Sequence, residues 1–269
     1  MKEYMLTVIY MTYRPGGFDL LADSLKNQTY KNYELIVVDD FPDSSKPVKE
    51  YLLKHNLPVT YCGPSKEKCY SDTPYNLCNA MNTGLLHSKG DIVILIMDYA
   101  WLEPDALEKW NKAFNEQGLK KLIVGVGYTY GTCASDPEIL NPISIWSPPY
   151  PERFSFEGDA PIWLPELFEM FYTGFPSEFF DQINGFDERG DYWSPNMYYS
   201  IVEQAKLNDY ALYVDTSNGV KLVEHRNWDT FDSDLWWIGR WKVENVKMDV
   251  PWIPRSPNCF NLRRDRKRN

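Results

Sequence analysis

One segment, residues 75–107, constrains the fold more than any other part of the chain. A stripe of apolar residues at helical spacing, Leu77–Leu85, leads into the turn residues Lys89-Gly90-Asp91 and then into six apolar residues, Ile92–Met97. Six consecutive apolar residues suit a strand that is covered on both faces. Asp98 follows at once, at the strand end where open α/β sheets bind their ligands. The segment predicts an α/β fold with a carboxylate at the carboxyl edge of its sheet.

The first 128 residues alternate between strand and helix patterns. The predicted strands are Met5–Tyr13, Glu34–Val38, Val59–Cys62, Ile92–Met97 and Leu122–Val126. Helical spacing marks the segments that begin near Phe18, Val48, Leu77 and Pro104. Such alternation implies a mainly parallel sheet with right-handed crossovers, flanked by helices.

The second half of the chain differs in character. Residues 129–165 hold seven of the 19 prolines and show little periodicity, so we expect a long loop there. The elements predicted beyond it are strands at Glu169–Phe175, Ala211–Val214 and Val220–Val223, helices at Ser177–Ile183 and Asn196–Leu207, and a turn at Asn184-Gly185. From Arg226 the chain is rich in Trp, with one helix expected over Asp232–Val246.

Charge and cysteine content narrow the function classes. The net charge of −10 argues against general nucleic-acid binding through a basic surface. The basic residues that crowd Arg263–Arg268 fit either a solvated chain end or contact with an anionic surface. Five cysteines is an odd number, and no signal pattern is visible, so we expect reduced thiols in a cytoplasmic protein. No apolar stretch reaches the roughly 18 residues that span a bilayer.

Short motifs then follow one another in a recognisable order. They are Thr12-Tyr13-Arg14, Val37-Val38-Asp39-Asp40, Asn82-Thr83-Gly84-Leu85, Lys89-Gly90-Asp91, Asp98 with Trp101-Leu102-Glu103-Pro104, Thr173-Gly174-Phe175 and Asn184-Gly185-Phe186-Asp187-Glu188. Their order over residues 6–226 resembles the family-2 glycosyltransferases of the GT-A fold. The resemblance implies a hexosyltransferase-type, inverting enzyme with a nucleotide-diphosphate-sugar donor, Mn²⁺ or Mg²⁺, and a hydroxyl acceptor on a carbohydrate, glycolipid or other molecule.

The resemblance also implies a domain plan. We expect a GT-A, Rossmann-like catalytic domain over residues 1–225, with a nucleotide-binding half (1–128) and an acceptor half (129–225). A small aromatic-rich C-terminal extension with the basic tail would occupy residues 226–269. The resemblance favours a uridine donor, whereas the residues themselves leave guanosine and thymidine open. Donor sugar, linkage and oligomeric state stay open as well.

Seven residues are candidates for donor binding. A nucleobase needs an acceptor for its ring N–H, which Asp39 or Asp40 could supply, while Tyr13 and Arg14 could flank the base or ribose. The alternative for the Asp pair is that it caps the next helix. The full set implied by the family motifs is Thr12, Tyr13, Arg14, Asp39, Asp40, Asn82 and Asp98.

The metal site departs from the family pattern. The family has an acid, any residue and a second acid, whereas this chain has Asp98-Tyr99-Ala100. Three interpretations stay open. Asp98 could bind Mn²⁺ or Mg²⁺ together with a distant ligand, for which His225 is the candidate. A cation such as Arg226 could replace the metal, or the chain could be a weakened or inactive relative.

The candidates for the catalytic base lie in and near the Asn184–Glu188 motif. An inverting transferase needs a carboxylate that takes the acceptor proton. The family places an acidic pair about ten residues further on, but residues 193–198 contain no acid. We therefore expect Asp191 to be the base and Asp187 to hold acceptor hydroxyls, with Glu188 in the same catalytic turn. The alternative is that Asp187 and Glu188 only fix the loop or cap a helix.

Aromatic residues could supply an acceptor platform, or they could simply fill the core. The candidates are Tyr172, Trp193, Trp228, Trp236 and Trp237. Two rival functions are a nucleotidyltransferase, for which Arg14–Gly17 would be a poor phosphate loop, and a catalytically silent carbohydrate- or nucleotide-binding relative.

Overall fold

The structure is a computed structural model. It describes residues 1–12, 18–39, 59–62, 65–69, 76–96, 100–132, 140–146, 160–161, 172–191, 196–223 and 258–266. The helices predicted near residues 48–55 and 232–246 lie outside these ranges.

Ten strands and six α-helices make up the described part of the chain. The strands are β1 (Leu6–Thr12), β2 (Tyr33–Asp39), β3 (Val59–Cys62), β4 (Ile92–Ile96), β5 (Ala100–Leu102), β6 (Lys121–Thr132), β7 (Leu140–Trp146), β8 (Ala160–Pro161), β9 (Tyr172–Pro176) and β10 (Ala211–Val223). The α-helices are α1 (Phe18–Lys26), α2 (Leu77–His87), α3 (Ala106–Gln117), α4 (Ser177–Ile183), α5 (Asn196–Leu207) and α6 (Leu262–Asp265). A 3₁₀ helix spans Glu188–Asp191.

All ten strands belong to one mixed sheet. Its order is β3-β2-β1-β4-β9-β6-β10-β5, with β7 paired to β6 and β8 paired to β10. The strands β3, β2, β1 and β4 are mutually parallel, whereas β9 runs antiparallel to both of its neighbours, β4 and β6. The predicted α/β sheet flanked by helices is confirmed, and the parallel order holds within its first four strands.

Two apolar layers enclose the sheet, and β1 shows why its sequence is apolar without a break. Ile9 and Met11 point into the layer that contains α2, α4 and α5. Val8 and Tyr10 point into the opposite layer, which contains α1 and α3. Because successive side chains of a strand alternate between faces, a strand buried on both faces must be apolar at every position.

The expectation of an unstructured loop over residues 129–165 is wrong in part. Strand β6 continues to Thr132 and pairs antiparallel with β7, and β8 pairs with β10. Pro142 obscured this pairing in the sequence. Proline is tolerated there because β7 pairs with β6 alone among the described strands, beside a register shift at Thr129/Tyr130.

The C-terminal segment Asn258–Arg266 packs against the domain. Leu262 is fully buried in the same layer as α2 and α4. Arg266 is buried and pairs with Asp181 at 3.2 Å, so it is not available to an anionic surface, unlike the exposed Arg263. The domain division at residue 226 stays a prediction, but this last described segment belongs to the first domain's core.

The expectation that all cysteines are reduced thiols is wrong for two of them. Cys69 and Cys259 form a disulfide across a sequence separation of 190 residues. No spacing pattern could reveal the pair, because the packing of the C-terminal segment brings the two residues together. Among the described residues, Cys62 and Cys78 are free and buried. The described helices include none that is both long and apolar enough to cross a membrane.

Candidate functional site

The carboxyl edge of the sheet gathers the ends of three parallel strands. Strands β1 and β2 are in register, with Thr12 opposite Asp39, and β4 runs beside β1 until Ile96 lies opposite Tyr10. Thr12 and Asp39 are both buried. Four other predicted site residues follow these strand ends in sequence but lie outside the described residues, namely Tyr13, Arg14, Asp40 and Asp98.

Asp39 is held by a neighbouring strand. The Tyr61 hydroxyl on β3 donates a hydrogen bond to Asp39 Oδ2 at 3.1 Å. A hydrogen bond from a tyrosine hydroxyl restricts the rotamer of a carboxylate without neutralising its charge. The arrangement therefore keeps an oriented acceptor at the end of β2, where the sequence predicted a contact with the nucleobase.

A second group of polar residues surrounds the N-terminus of α2. Because α2 leads into β4, it runs antiparallel to the parallel strands and begins at their carboxyl edge. The residue before it, Asn76, makes no side-chain cap bond, and its first turn contains no acid. The cap comes from the 3₁₀ helix instead. Asp191 Oδ1 accepts from the Cys78 N–H at 2.5 Å, and Oδ2 accepts from the Asn79 N–H at 3.0 Å.

The pKa of the Asp191 carboxyl is raised to about 7. Burial is the main cause, because it disfavours the charged form. The two backbone hydrogen bonds act in the opposite direction, and the nearby charge of Glu188 raises the pKa further. A carboxylate whose pKa lies near neutrality can take up a proton during a reaction and release it afterwards.

Glu188 begins the 3₁₀ helix that Asp191 ends, and it is almost completely buried, with 1% of its surface exposed. Its Oε1 accepts from Lys66 Nζ at 2.5 Å and from Asn82 Nδ2 at 2.9 Å. Its Oε2 accepts from the Cys69 N–H and from Asn79 Nδ2, both at 3.3 Å. Through these bonds Glu188 connects the segment that contains Lys66 and Cys69 to α2. Its predicted catalytic role stays a prediction.

Asn82 holds the turn that precedes the 3₁₀ helix. Its Nδ2 donates to the Phe186 carbonyl at 2.9 Å, and its Oδ1 accepts from the Phe186 N–H at 2.8 Å. The predicted turn is confirmed, with positive φ at Asn184 and Gly185. Asn82 is fully buried. Donor binding by Asn82 stays a prediction, and the geometry favours a role in positioning the turn.

Asp187 forms an ion pair with Arg189. The Arg189 Nε donates to Asp187 Oδ1 at 2.9 Å, and the Arg189 N–H donates to the same oxygen at 3.0 Å. The carboxylate keeps 13% of its side-chain surface exposed. Its predicted contact with acceptor hydroxyls stays a prediction. The bonds to Arg189 are compatible with it, since a carboxylate oxygen can accept more than one hydrogen bond.

The structure thus brings the predicted residues together as two groups at one edge. Thr12 and Asp39 form the first group, at the ends of β1 and β2. The α2 group contains Asn82, Asp187, Glu188 and Asp191. His225 lies outside the described residues, and among the described ones no three His, Cys, Asp or Glu side chains gather as metal ligands.

Sequence reasoning missed several residues that build the α2 group. Lys66, Asn79 and Asn258 carried no motif, although Asn79 lies three residues before Asn82 on the same helix face. For Tyr172, the alternative that the aromatic candidates fill the core is confirmed, and its ring is not part of an acceptor platform. Its ring packs edge-on against Trp110 at 5.1 Å between centroids, deep in the core. The four Trp candidates for that platform lie outside the described residues.

The chain resembles known proteins both in sequence and in fold. A family model described as glycosyl transferase family 2 matches residues 20–160, just over half of the chain. An uncharacterized glycosyltransferase from Haemophilus influenzae is 27% identical in an alignment of 146 residues, which covers 51% of this chain and 46% of the relative. The chain therefore spans about half the length of that relative.

Two solved structures share the fold. A crystal structure of GalNAc-T7 with UDP, GalNAc and Mn²⁺ matches with a TM-score of 0.61 and 13% identity, over 82% of this chain and 44% of the other. The mannosyltransferase PcManGT from Pyrobaculum calidifontis, in complex with GDP-Man and Mn²⁺, matches with a TM-score of 0.57 and 16% identity, over 89% and 61%. These similarities confirm the predicted GT-A fold.

Proposed function

Because the chain belongs to glycosyl transferase family 2, we propose that it transfers a sugar from a nucleotide-diphosphate donor to a hydroxyl group of an acceptor. The observation that carries the proposal is the position of Asp191. A half-buried carboxylate with a pKa near neutrality caps α2, at the sheet edge where β1 and β2 present Thr12 and Asp39. Transfer of a sugar to a hydroxyl group needs such a base beside the donor site.

In this proposal the donor nucleotide binds at the ends of β1 and β2. Asp39 accepts the ring N–H of the base, and Thr12, Tyr13, Arg14 and Asp40 line the remaining contacts. UDP and GDP-Man are bound by the two proteins of similar fold. We propose a uridine donor, since the family motifs favour it, and the experiment below compares it with the other nucleotides.

A divalent cation, Mn²⁺ or Mg²⁺, is part of the proposal. Asp98 would hold it, because a carboxylate two residues after the end of β4 would bring an oxygen ligand to the carboxyl edge that the donor shares. His225 would be the second protein ligand. The ion would stabilise the charge that develops on the leaving diphosphate. If binding proves independent of metal, Arg226 is the candidate for that role.

Asp191 is proposed as the base of an inverting displacement. Its carboxylate takes the acceptor proton as the hydroxyl oxygen attacks the anomeric carbon, and the diphosphate leaves from the opposite side. Asp187, at the entrance of the same turn, would bind a neighbouring acceptor hydroxyl. The acceptor would be a carbohydrate, a glycolipid or another hydroxyl compound, and the exposed Arg263 and Arg264 could bring the tail to an anionic surface.

A cytoplasmic location is the proposal that the sequence favoured. The Cys69–Cys259 disulfide is the observation against it, because cytosolic thiols are normally kept reduced. Peptide mapping after rapid alkylation in cells decides between the cytoplasm and an oxidising compartment. Alkylated Cys259 supports the cytoplasm, and a recovered Cys69–Cys259 peptide supports an oxidising compartment.

Calorimetric titration tests the donor site. UDP, GDP, CDP and dTDP are each titrated with and without Mn²⁺ into the wild type, into Asp39→Asn, and into Asp23→Asn as an exposed control on α1. One diphosphate should bind saturably and more tightly with Mn²⁺. Asp39→Asn should weaken it roughly 10- to 150-fold, the range for a hydrogen bond to a charged group, while the control changes nothing.

Failure of all four diphosphates to bind would contradict the proposal and favour the silent relative. The corresponding triphosphates are titrated in parallel, and binding of one of them in preference to every diphosphate would instead favour the nucleotidyltransferase. Equal weakening by the two Asp variants would remove Asp39 from the site.

A further inference from the structure

We propose that Lys66 is a positioning residue for the Asp191 carboxylate and acts through the buried Glu188. The inference rests on the proposed function, in which Asp191 is the base. Lys66 belongs to none of the sequence motifs described above. Lys66 lies in the segment Ser65–Cys69, and its Nζ contacts Glu188 Oε1 at 2.5 Å.

Glu188 is buried and Lys66 is partly buried, which makes the pair sensitive to the loss of either partner. The exposed side-chain fractions are 16% for Lys66 and 1% for Glu188. The Lys66 ammonium also donates to the Glu67 carbonyl at 3.3 Å and lies 4.6 Å from the centre of the Phe260 ring. Removing one charge of a buried pair leaves the other without compensation. Lys66 therefore supplies the ion-pair partner of a carboxylate that lies inside the protein.

Glu188 in turn fixes the geometry of Asp191. The two residues are the first and last of a single 3₁₀ turn. Asn79 contacts both, since its side chain donates to Glu188 Oε2 at 3.3 Å and its backbone N–H donates to Asp191 Oδ2 at 3.0 Å. On the other side, the Glu188 N–H donates to Asn258 Oδ1 at 3.2 Å. A displacement of Glu188 would move the turn that places Asp191 over α2.

Electrostatics links the same residues. Among the described residues, the ionisable groups around Asp191 are Glu188 on its own turn and the Cys78 thiol on α2, whose pKa is well above its usual range because of burial. Asp187 also acts on this cluster, although Arg189 pairs with it. Helix α5 packs on the turn but has no acid in its first turn. The Glu188 charge already disfavours the Asp191 carboxylate, so removing Lys66 should disfavour it more.

The experiment compares four variants with the wild type. Lys66→Met removes the charge, Lys66→Arg keeps it, and Lys66→Met/Glu188→Gln removes both charges of the pair. Lys109→Met is the control, because Lys109 forms an ion pair with Asp105 on the surface of α3. Two readouts follow Asp191: the pH dependence of donor turnover, and the ¹³C NMR titration of its carboxyl carbon, which needs no turnover.

For Lys66→Met, both midpoints should move up by about one pH unit, the order of magnitude expected for the uncompensated Glu188 charge on the same 3₁₀ turn at an effective dielectric constant of about 20. The rate should therefore fall about tenfold more at pH 6 than at pH 9. Lys66→Arg, the double variant and the control should keep midpoints within about half a unit of the wild type. This rescue distinguishes positioning from a general loss of stability.

Two results would overturn the inference: an unchanged Asp191 midpoint in folded Lys66→Met, or a midpoint in the double variant that moves as far as in Lys66→Met. If Lys66→Met does not fold, the double variant decides, since the inference requires it to fold with a near-wild-type midpoint. A wild type that binds donor without turning it over would refute the proposed function alone, because the NMR titration still tests Lys66.

Discussion

Replacing Gly185 with Ala should destabilise the protein through one identifiable contact. Gly185 has a φ of +76°, and a Cβ built on it would lie 2.5 Å from Asn82 Oδ1. That oxygen accepts the Phe186 N–H at 2.8 Å, so the new methyl group must displace a buried amide from its hydrogen bond. The turn and α2 would lose one of the two bonds between Asn82 and the Phe186 backbone that join them.

The magnitude follows from two contributions. A non-glycine residue in the left-handed region costs about 1–2 kcal/mol. A buried N–H left without its partner costs about 1–3 kcal/mol. Gly185→Ala should therefore lower the free energy of unfolding by about 3 kcal/mol. In an Asn82→Ala background the displaced amide is already absent, so the same change should cost only the backbone contribution.

Urea denaturation of the four members of this double-mutant cycle measures the difference, which should be about 2 kcal/mol of coupling. Gly118 provides the control. It has a φ of +82°, but nothing lies within 4 Å of its added Cβ, so Gly118→Ala should cost the same whether residue 82 is Asn or Ala. Equal costs of Gly185→Ala in the two backgrounds would refute the contact as the cause.

Three further predictions test the remainder of the structure. Cys259→Ser should lower stability by up to about 5 kcal/mol in the oxidised protein, because the disulfide closes a loop of 190 residues; dithiothreitol should then destabilise the wild type but not the variant. Arg266→Met should lower the free energy of unfolding by about 3–5 kcal/mol in thermal or urea unfolding, because it removes the ion-pair partner of Asp181. The control Arg263→Met, at an exposed position, should change that free energy by less than about 0.5 kcal/mol. Tyr61→Phe should weaken diphosphate binding by about fivefold to tenfold in calorimetry, while Tyr33→Phe, whose hydroxyl bonds a backbone carbonyl of α1, should leave the affinity unchanged.

The elements that sequence reasoning predicted well are those with strong local signals. The structure has β3 at Val59–Cys62, α4 at Ser177–Ile183 and α5 at Asn196–Leu207, each with the predicted bounds. Apolar periodicity and turn residues determine such elements over a few neighbouring positions. The parallel order of the first four strands follows from their alternation with helices.

Long-range pairing explains what could not be predicted. The insertion of β9 between β4 and β6 depends on residues some 80 positions away from β4 in sequence. In the same way, the 190-residue separation of Cys69 and Cys259 leaves no local trace. The proline at position 142 also concealed β7, because its tolerance depends on the edge position that only the fold reveals.

The same contrast between local signals and long-range contacts applies to the candidate site. Motifs predicted the location of Asp39 and Asp191, because both follow recognisable strand or turn signals. They could not predict that Asp191 caps α2, nor that Lys66 and Asn258 support Glu188, because these contacts join separate segments. The metal ligands Asp98 and His225 stay predictions of the sequence.

The pH dependence of donor turnover tests most directly whether Asp191 is the base of a glycosyltransferase. The release of nucleoside diphosphate from the donor that binds would be measured from pH 5 to 9 for the wild type and Asp191→Asn. Because only the carboxylate form accepts a proton, the wild-type rate should rise with pH through a midpoint of about 7. Asp191→Asn should lower kcat by about 10²–10⁴-fold with donor affinity preserved. A variant that keeps the wild-type rate, or that loses donor affinity by the same factor as rate, would contradict the assignment.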